Sequence, residues 1–444
     1  MKITIIGAGS AVFSLSTIKD ICLTPSLCGN KICLMDINED RLNAAYSLCK
    51  RYAAEMGFAL DLETTTVREE ALLGADFVVN SALVGGYGRM LEGTEIAKKY
   101  GYRYGSSYHV MHDEAFWINF YQFRLIEDIY LDMKRLCPDA WYILLANPVC
   151  AAITYLGRKY NDPKVVGLCE GTTVVGRIFD SLELHDKEQI TYEITGINHF
   201  VWMTKLLYKG EDAFPVIDRF IDENRFEKGK HTWDLCPKVQ DLYKTFGALP
   251  IGDTHGAGGG SWGWWYHMDE KTQQQWQEDP EGIWAAHFAY CDSMVEKIAQ
   301  YAADESVKLT KIFEPVKSGE LLIDLLESLA CDVERKIMIN TINRNGYVPG
   351  VPRDFNIETA ALCSKKGIQP IQAAPLPPAV TAYILRDRVA PINVELAAYE
   401  TRSRKLLVEL VKMDPWTRSP EQATTLVEEI LALPWNKEMN EWYQ

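Results

Sequence analysis

The sequence lacks a basic surplus: 46 Lys and Arg stand against 61 Asp and Glu, a net charge of −15 over 444 residues. Such a chain cannot neutralise a run of phosphates, which argues against nucleic acid and anionic membrane as partners but leaves room for a single phosphate or carboxylate site. It also lacks a CxxC pair. Its eleven cysteines are odd in number and scattered through strand-like and helix-like runs, as at Cys22, Cys33 and Cys49, which reads as reduced protein and not a disulfide scaffold. No uninterrupted apolar run reaches membrane-spanning length. The apolar start, residues 3–15, is broken by Gly7-Ala8-Gly9-Ser10 and soon followed by Asp20, unlike the core of a secretory signal. A cytoplasmic protein is expected. There is no internal repeat and no low-complexity tail. What remains, 47% hydrophobic and 24% charged residues, is ordinary globular composition in a chain too long for one core, so two or three domains are expected.

The first third alternates strand-like and helix-like segments. Residues 2–6 are a β-branched run ending at glycine, and a helix over 10–23 should follow. Residues 31–35 form a second short strand ending at Asp36, and Asn38 suits the N-cap of a helix running to about Met56. Residues 76–80, 141–146 and 165–168 read as further buried strands. This alternation implies a doubly wound parallel α/β sheet over residues 1–190. Beyond residue 190 the pattern loosens into a second, α+β domain over 191–444. It contains long helical stretches at 281–302 and 391–412, the latter with Pro391 in its first turn. Residues 252–266, rich in glycine and tryptophan, predict a shaped, non-helical loop, although the alternation Trp262-Gly263-Trp264 would also fit a strand.

Gly7-Ala8-Gly9-Ser10-Ala11-Val12 lies between a strand and a helix. Gly7 suits a tight turn, and Gly9 lets backbone approach a pyrophosphate whose charge would rest on the helix N-terminus. The third glycine of the usual fingerprint is Val12 here. Asp36, at the end of the second strand, stands where a carboxylate would accept the ribose hydroxyls and repel a 2′-phosphate, so NAD is expected over NADP. Asn147-Pro148 follows a strand and should point into the ligand crevice. Cys169-Glu170-Gly171 follows another, and Gly196-Ile197-Asn198-His199-Phe200 and Gly252-Asp253-Thr254-His255 come later. By spacing alone, Cys169 and His199 fit a buried thiol and a satisfied core histidine better than a metal site. Asp253 is as consistent with a turn as with a general base.

Taken in order, these segments resemble glycoside hydrolase family 4, and most closely its α-glucosidase, α-glucuronidase and α-galactosidase branch. The resemblance runs from Ile5-Ile6-Gly7-Ala8-Gly9-Ser10 through Leu34-Met35-Asp36, Ala146-Asn147-Pro148, Gly196-Ile197-Asn198-His199 and Gly252-Asp253-Thr254 to Pro375-Leu376-Pro377 and Glu429-Ile430-Leu431-Ala432-Leu433-Pro434. It implies a lactate/malate dehydrogenase-like nucleotide domain. It implies NAD on Gly7, Gly9, Ser10, Ala11, Val12, Asp36 and Asn147, and a divalent cation, Mn²⁺ expected, on Cys169 and His199. Asn147 and Asn198 would touch a small glycoside, and Asp253 would be the catalytic acid or base. Where the branch usually has histidine after the metal cysteine, this chain has Glu170, a candidate acid. Where α-glucosidase-like members have arginine three residues after the aspartate, it has Gly256.

The chemistry so implied departs from the two-carboxylate scheme of most glycosidases. Hydride leaves C3 of the sugar, the ketone formed acidifies the C2 proton, a base removes it, the aglycone is eliminated, and water and hydride return. The glycone stays open among α-glucoside, α-galactoside, α-hexuronide and a sulfonated sugar. A homodimer or homotetramer is expected. Two other classes compete: a 2-hydroxy-acid or sugar dehydrogenase making net NADH, and a non-enzymatic NAD-sensing regulator. The long second domain and the Cys169/His199 pair weigh against the first, and the acidic charge gives the second no support.

Overall fold

Short β-branched runs bury themselves as strands, and glycine turns deliver the chain into helices that cover them. The computed structural model describes residues 1–105, 107–256 and 262–444, and of residues 262–264 the backbone alone. The first half supplies β1 (Lys2–Ile6), β2 (Lys31–Met35), β3 (Asp61–Thr65), β4 (Phe77–Asn80), β5 (Trp141–Leu144) and β6 (Val165–Gly167). The second supplies β7 (Ile190–Ile197), β8 (Phe200–Tyr208), β9 (Glu211–Asp212), β10 (Leu249–Ile251), β11 (Arg335–Ile342), β12 (Asn356–Ser364) and β13 (Gly367–Pro370). Helix α1 (Ala11–Cys22) leaves the glycine turn after β1. Helix α2 (Glu39–Glu55) starts at Asn38, whose side chain accepts from the Arg41 N–H at 3.0 Å, with Glu39 and Asp40 in its first turn. That end is capped and electrostatically matched to the helix dipole.

The six early strands are parallel and lie in the order β3-β2-β1-β4-β5-β6. This is the doubly wound nucleotide-binding order, whose ligand crevice opens where the chain reverses direction beside β1 and β4. The sheet does not stop there. β11 joins β6 antiparallel, and β12, β7, β8 and β10 follow, so one sheet spans both halves of the chain. Packing also crosses the expected boundary at residue 190. The helix Leu321–Cys331 shares a core with β1 and β2, and Ile298 and Leu309 pack with Leu15, Leu48 and Tyr52 of α1 and α2. The two halves are therefore continuous in both hydrogen bonding and core.

Two expectations are corrected. The helix expected over 391–412 is two, Ala390–Thr401 and Arg404–Lys412. Arg402 takes a left-handed conformation, φ 58°, and Ser403 caps the second helix by accepting from the Leu406 N–H. A serine cap outweighs the continuous apolar period. The segment 252–266 is not wholly a loop, nor is its end a strand: Gly252–His255 is a 3₁₀ turn and Trp262–His267 is helical, while residues 257–261 lie outside the described residues. Tertiary anchors hold that helix, with the Tyr266 hydroxyl donating to Asp241 Oδ2 at 2.8 Å and His267 Nε2 lying 2.5 Å from buried Glu278.

Candidate active site

The crevice beside β1 and β4 opens into a cleft of about 510 Å³, lined by Ser10, Asn147, Cys169, Glu170, His199 and Asp253 among others. Each arrives for a local reason. Cys169 and Glu170 begin the turn that ends β6. His199 sits at the tip of the two-residue turn between β7 and β8, where Ile197 pairs with Phe200, and its φ of 59° is left-handed. Asp253 follows β10 in a loop pinned to β8 by Thr254, whose hydroxyl accepts from the Val201 N–H at 2.7 Å and donates to the Val201 carbonyl at 2.9 Å. Gly252, at φ 57°, lies against the Cys169 turn so closely that a Cβ would come within 2.1 Å of the Gly171 carbonyl oxygen. Only glycine allows that contact.

The result is a cluster of Cys169, His199 and Asp253, whose donor atoms lie within 4.8 Å of one another. Asp253 Oδ2 is 4.0 Å from Cys169 Sγ and 3.6 Å from His199 Nε2. His199 Nδ1 lies 2.9 Å from Glu114 Oε1, which leaves Nε2 for the cleft, the arrangement by which an outer carboxylate orients a metal-binding imidazole. Glu114 is itself buried, 3.4 Å from Arg388, whose guanidinium lies 3.6 Å from the Tyr108 ring. The Tyr108 hydroxyl donates to the His199 carbonyl at 3.0 Å.

The electrostatics follow. Burial raises Glu114, but the Arg388 charge and the His199 contact outweigh it and hold the carboxyl down to about 2. Burial, then the Glu358 and Asp253 carboxylates, push the Cys169 thiol up to about 11. Burial lowers His199, but the Cys169 and Asp253 charges win and raise it well above its ordinary value. A thiol and an imidazole that hold their protons against this much negative charge, with a carboxylate beside them, suit a divalent cation, which would displace those protons and open positions to sugar oxygens.

At the nucleotide end, both oxygens of Asp36 are fixed: Oδ2 accepts from the Gly9 N–H at 2.8 Å and Oδ1 from the Asn38 N–H at 2.9 Å. A Cβ at Gly9 would lie 2.6 Å from Asp36 Oδ2, so this glycine serves the aspartate's approach and not only that of a ligand. Ser10 precedes α1 without capping it, leaving the first-turn N–H groups of that helix to an anion. Ile37, 88% exposed, follows Asp36 as apolar surface that an adenine could cover. The residues present therefore fit both a dinucleotide and a metal.

Asn147, joined to Pro148 by a cis bond, lines the cleft and donates to Asp113 Oδ2 at 2.9 Å. Asn198 does not reach the sugar space expected of it. It is fully buried, its amide donating to Glu358 Oε2 at 3.1 Å beneath the cluster.

One family model, "Family 4 glycosyl hydrolase", matches residues 2–183, and its C-terminal companion, "Family 4 glycosyl hydrolase C-terminal domain", matches residues 194–417. The chain belongs to family 4 of the glycosyl hydrolases. Among its family 4 relatives, the α-galactosidase of Bacillus subtilis (strain 168) is 25% identical over 94% of this chain and 93% of its own. The α-galacturonidase of Lachnoclostridium phytofermentans is 26% identical over 97% and 95%. A 6-phospho-α-glucosidase from gut microorganisms, solved in complex with NAD and Mn²⁺, shares the fold at a TM-score of 0.77 and 16% identity, over 99% of this chain and 98% of that one.

Within this family 4 site, several residues escaped the sequence reading. Asp113 lines the cleft, 2.6 Å from His112 Nδ1. Burial raises its carboxyl, but the His112 charge and hydrogen bond outweigh burial and hold it below the usual carboxylate range. Glu320 also lines the cleft, and burial, then the Glu170 and Asp20 charges, push it up to about 7. The run His112-Asp113-Glu114 was the available signal, three ionisable residues together just before a long apolar helix.

Proposed function

We propose that this family 4 enzyme cleaves small α-glycosides by oxidation, elimination, addition and reduction, with NAD and a divalent cation, Mn²⁺ by expectation, as cofactors. The observation that carries the reading is the convergence of Cys169, His199 and Asp253 on a cleft that begins at Ser10 of the glycine turn. Gly7, Gly9, Ser10, Ala11, Val12, Asp36 and Asn147 would hold the dinucleotide, and Cys169 and His199 the cation. When bound, these groups supply reversible hydride exchange and Lewis-acid stabilisation of negative oxygen.

The chain's own residues do the rest. Asp253, half-exposed at the cleft mouth, takes the C2 proton as general base. Glu170, beside Cys169 and paired with Glu320, gives a proton to the departing oxygen. Asn147, fixed by Asp113, orients the sugar. Residues 1–190 thus serve the nucleotide, and residues 191–444 contribute His199 and Asp253. The eleven unpaired cysteines and the need for a reduced Cys169 support a cytoplasmic setting. Ile283, Tyr290 and Val295, exposed on the helix Pro280–Ala303, support a dimer or tetramer.

The test mixes the protein with NAD, Mn²⁺ and a nitrophenyl α-glycoside and follows nitrophenol and NADH absorbance together. Nitrophenol release without net NADH is the expected result. Net NADH accumulating in step with substrate loss would identify a dehydrogenase instead.

A further inference from the structure

The four carboxylates of the cleft, Asp113, Glu170, Asp253 and Glu320, are matched by no lysine or arginine among the described residues that line it. The undescribed residues cannot supply the missing cation, because Ser106 and residues 257–264 contain no charged side chain. The nearby arginine, Arg388, is fully buried and already engaged with Glu114 and the Tyr108 ring. His287 also lines the cleft, with Tyr87 and Trp284 packed behind it at 5.7 and 5.8 Å between ring centroids. Carboxylates accept from the hydroxyl donors of a neutral sugar. An anionic group on the sugar would be set among these carboxyl groups, with no guanidinium or ammonium among the described lining residues to meet it.

We infer that the glycone is an uncharged hexose, and that the enzyme discriminates against glycosides bearing a carboxylate, phosphate or sulfonate at C6. This rests on the reading of the cleft as the glycosidase centre. It selects one side among relatives that divide between a neutral sugar, a uronic acid and a sugar phosphate in their names. Asp113, which lines the cleft and belongs to neither the proposed metal site nor the base nor the acid pair, bears most directly on the choice. His287 marks the wall where a cation could be introduced.

The experiment compares kcat/KM of the enzyme, supplied with NAD and Mn²⁺, for nitrophenyl α-galactopyranoside and α-glucopyranoside against the matching uronides and 6-phosphates. At least one uncharged glycoside is expected to exceed its charged counterparts by roughly 10²-fold or more, the scale of a like-charge juxtaposition. His287→Lys, on an exposed helical surface that tolerates lysine, is expected to shift the ratio toward the uronide by roughly tenfold or more, read chiefly as a lower KM for the anion. A uronide or 6-phosphate cleaved as well as the uncharged sugar would overturn the inference while leaving the glycosidase reading intact. An unchanged ratio in His287→Lys would overturn the assignment of selectivity to the charge of the cleft. Failure to cleave any of these glycosides would remove the reading on which the inference stands.

Discussion

Glu114 never reaches the cleft, yet it determines which nitrogen of His199 does. Replacing it by glutamine keeps the shape and removes the charge that orients the ring. Glu114→Gln is expected to weaken Mn²⁺ binding roughly 10–100-fold, measured by titrating metal into the apo-protein. At the other end of the crevice, Asp36 is held by two backbone N–H groups with lone pairs to spare. Asp36→Ala is expected to weaken NAD binding and relax discrimination against NADP, and unchanged NAD affinity would contradict its assignment to the ribose. Cys169, His199 and Asp253 were legible through the ordered series of family motifs that carries them, each at the end of a strand, whereas spacing alone pointed to a buried thiol and a core histidine. Glu114, Asp113 and Arg388 were not legible. They lie in an irregular stretch or inside a helix, and the Glu114–Arg388 contact spans 274 residues of sequence, which no local period records. Asn198 was misplaced for a related reason. Adjacency to His199 in a tight turn sends the two side chains in different directions, one to the cleft and one into the core.

At the scale of elements, the segment after Asp253 is fastened from below. Lys238 Nζ donates to Glu278 Oε2 at 2.6 Å, and the same oxygen lies 2.5 Å from His267 Nε2, all three residues being buried. Burial raises Glu278, but the Lys238 charge and the His267 hydrogen bond outweigh it and hold the carboxyl down to about 2 from an ordinary 4.5. A carboxyl lowered on folding stabilises the fold above the unfolded-chain value, and that stabilisation is lost as pH falls through the range from 4.5 toward about 2. Urea midpoints are therefore expected to drop across that acid range. Glu278→Gln, which strands Lys238, is expected to cost roughly 3–5 kcal/mol at neutral pH and to flatten the acid dependence. A midpoint unchanged by the substitution would contradict the account of this clasp. The expected loop over 252–266 failed here because glycine and tryptophan content speaks to local propensity, whereas the Trp262–His267 helix is held by Asp241 and Glu278 from other elements.

For the whole molecule, alternating strands and helices made the nucleotide half readable as a doubly wound parallel sheet, but neither β3 nor the order of the strands was legible, because β3 carries few buried apolar residues and strand order leaves no local period. The continuation of that sheet through β11, β12, β7, β8 and β10 was not readable, since antiparallel partners so distant in sequence leave no spacing to count. That continuation is what carries His199 and Asp253 to Cys169. With the thiol near 11 and His199 raised, cation binding must release protons, so apparent Mn²⁺ affinity is expected to rise with pH by up to roughly tenfold per unit for each proton displaced. A pH-independent affinity would place the metal on other ligands.

The central claim is that cleavage proceeds through removal of the C2 proton by Asp253, and turnover in D₂O tests it most directly. The product sugar is expected to carry deuterium at C2, and Asp253→Asn is expected to suppress both that incorporation and turnover by roughly 10²–10⁴-fold. Product released at full rate with no deuterium at C2 would contradict the elimination route and point to direct displacement at the anomeric carbon.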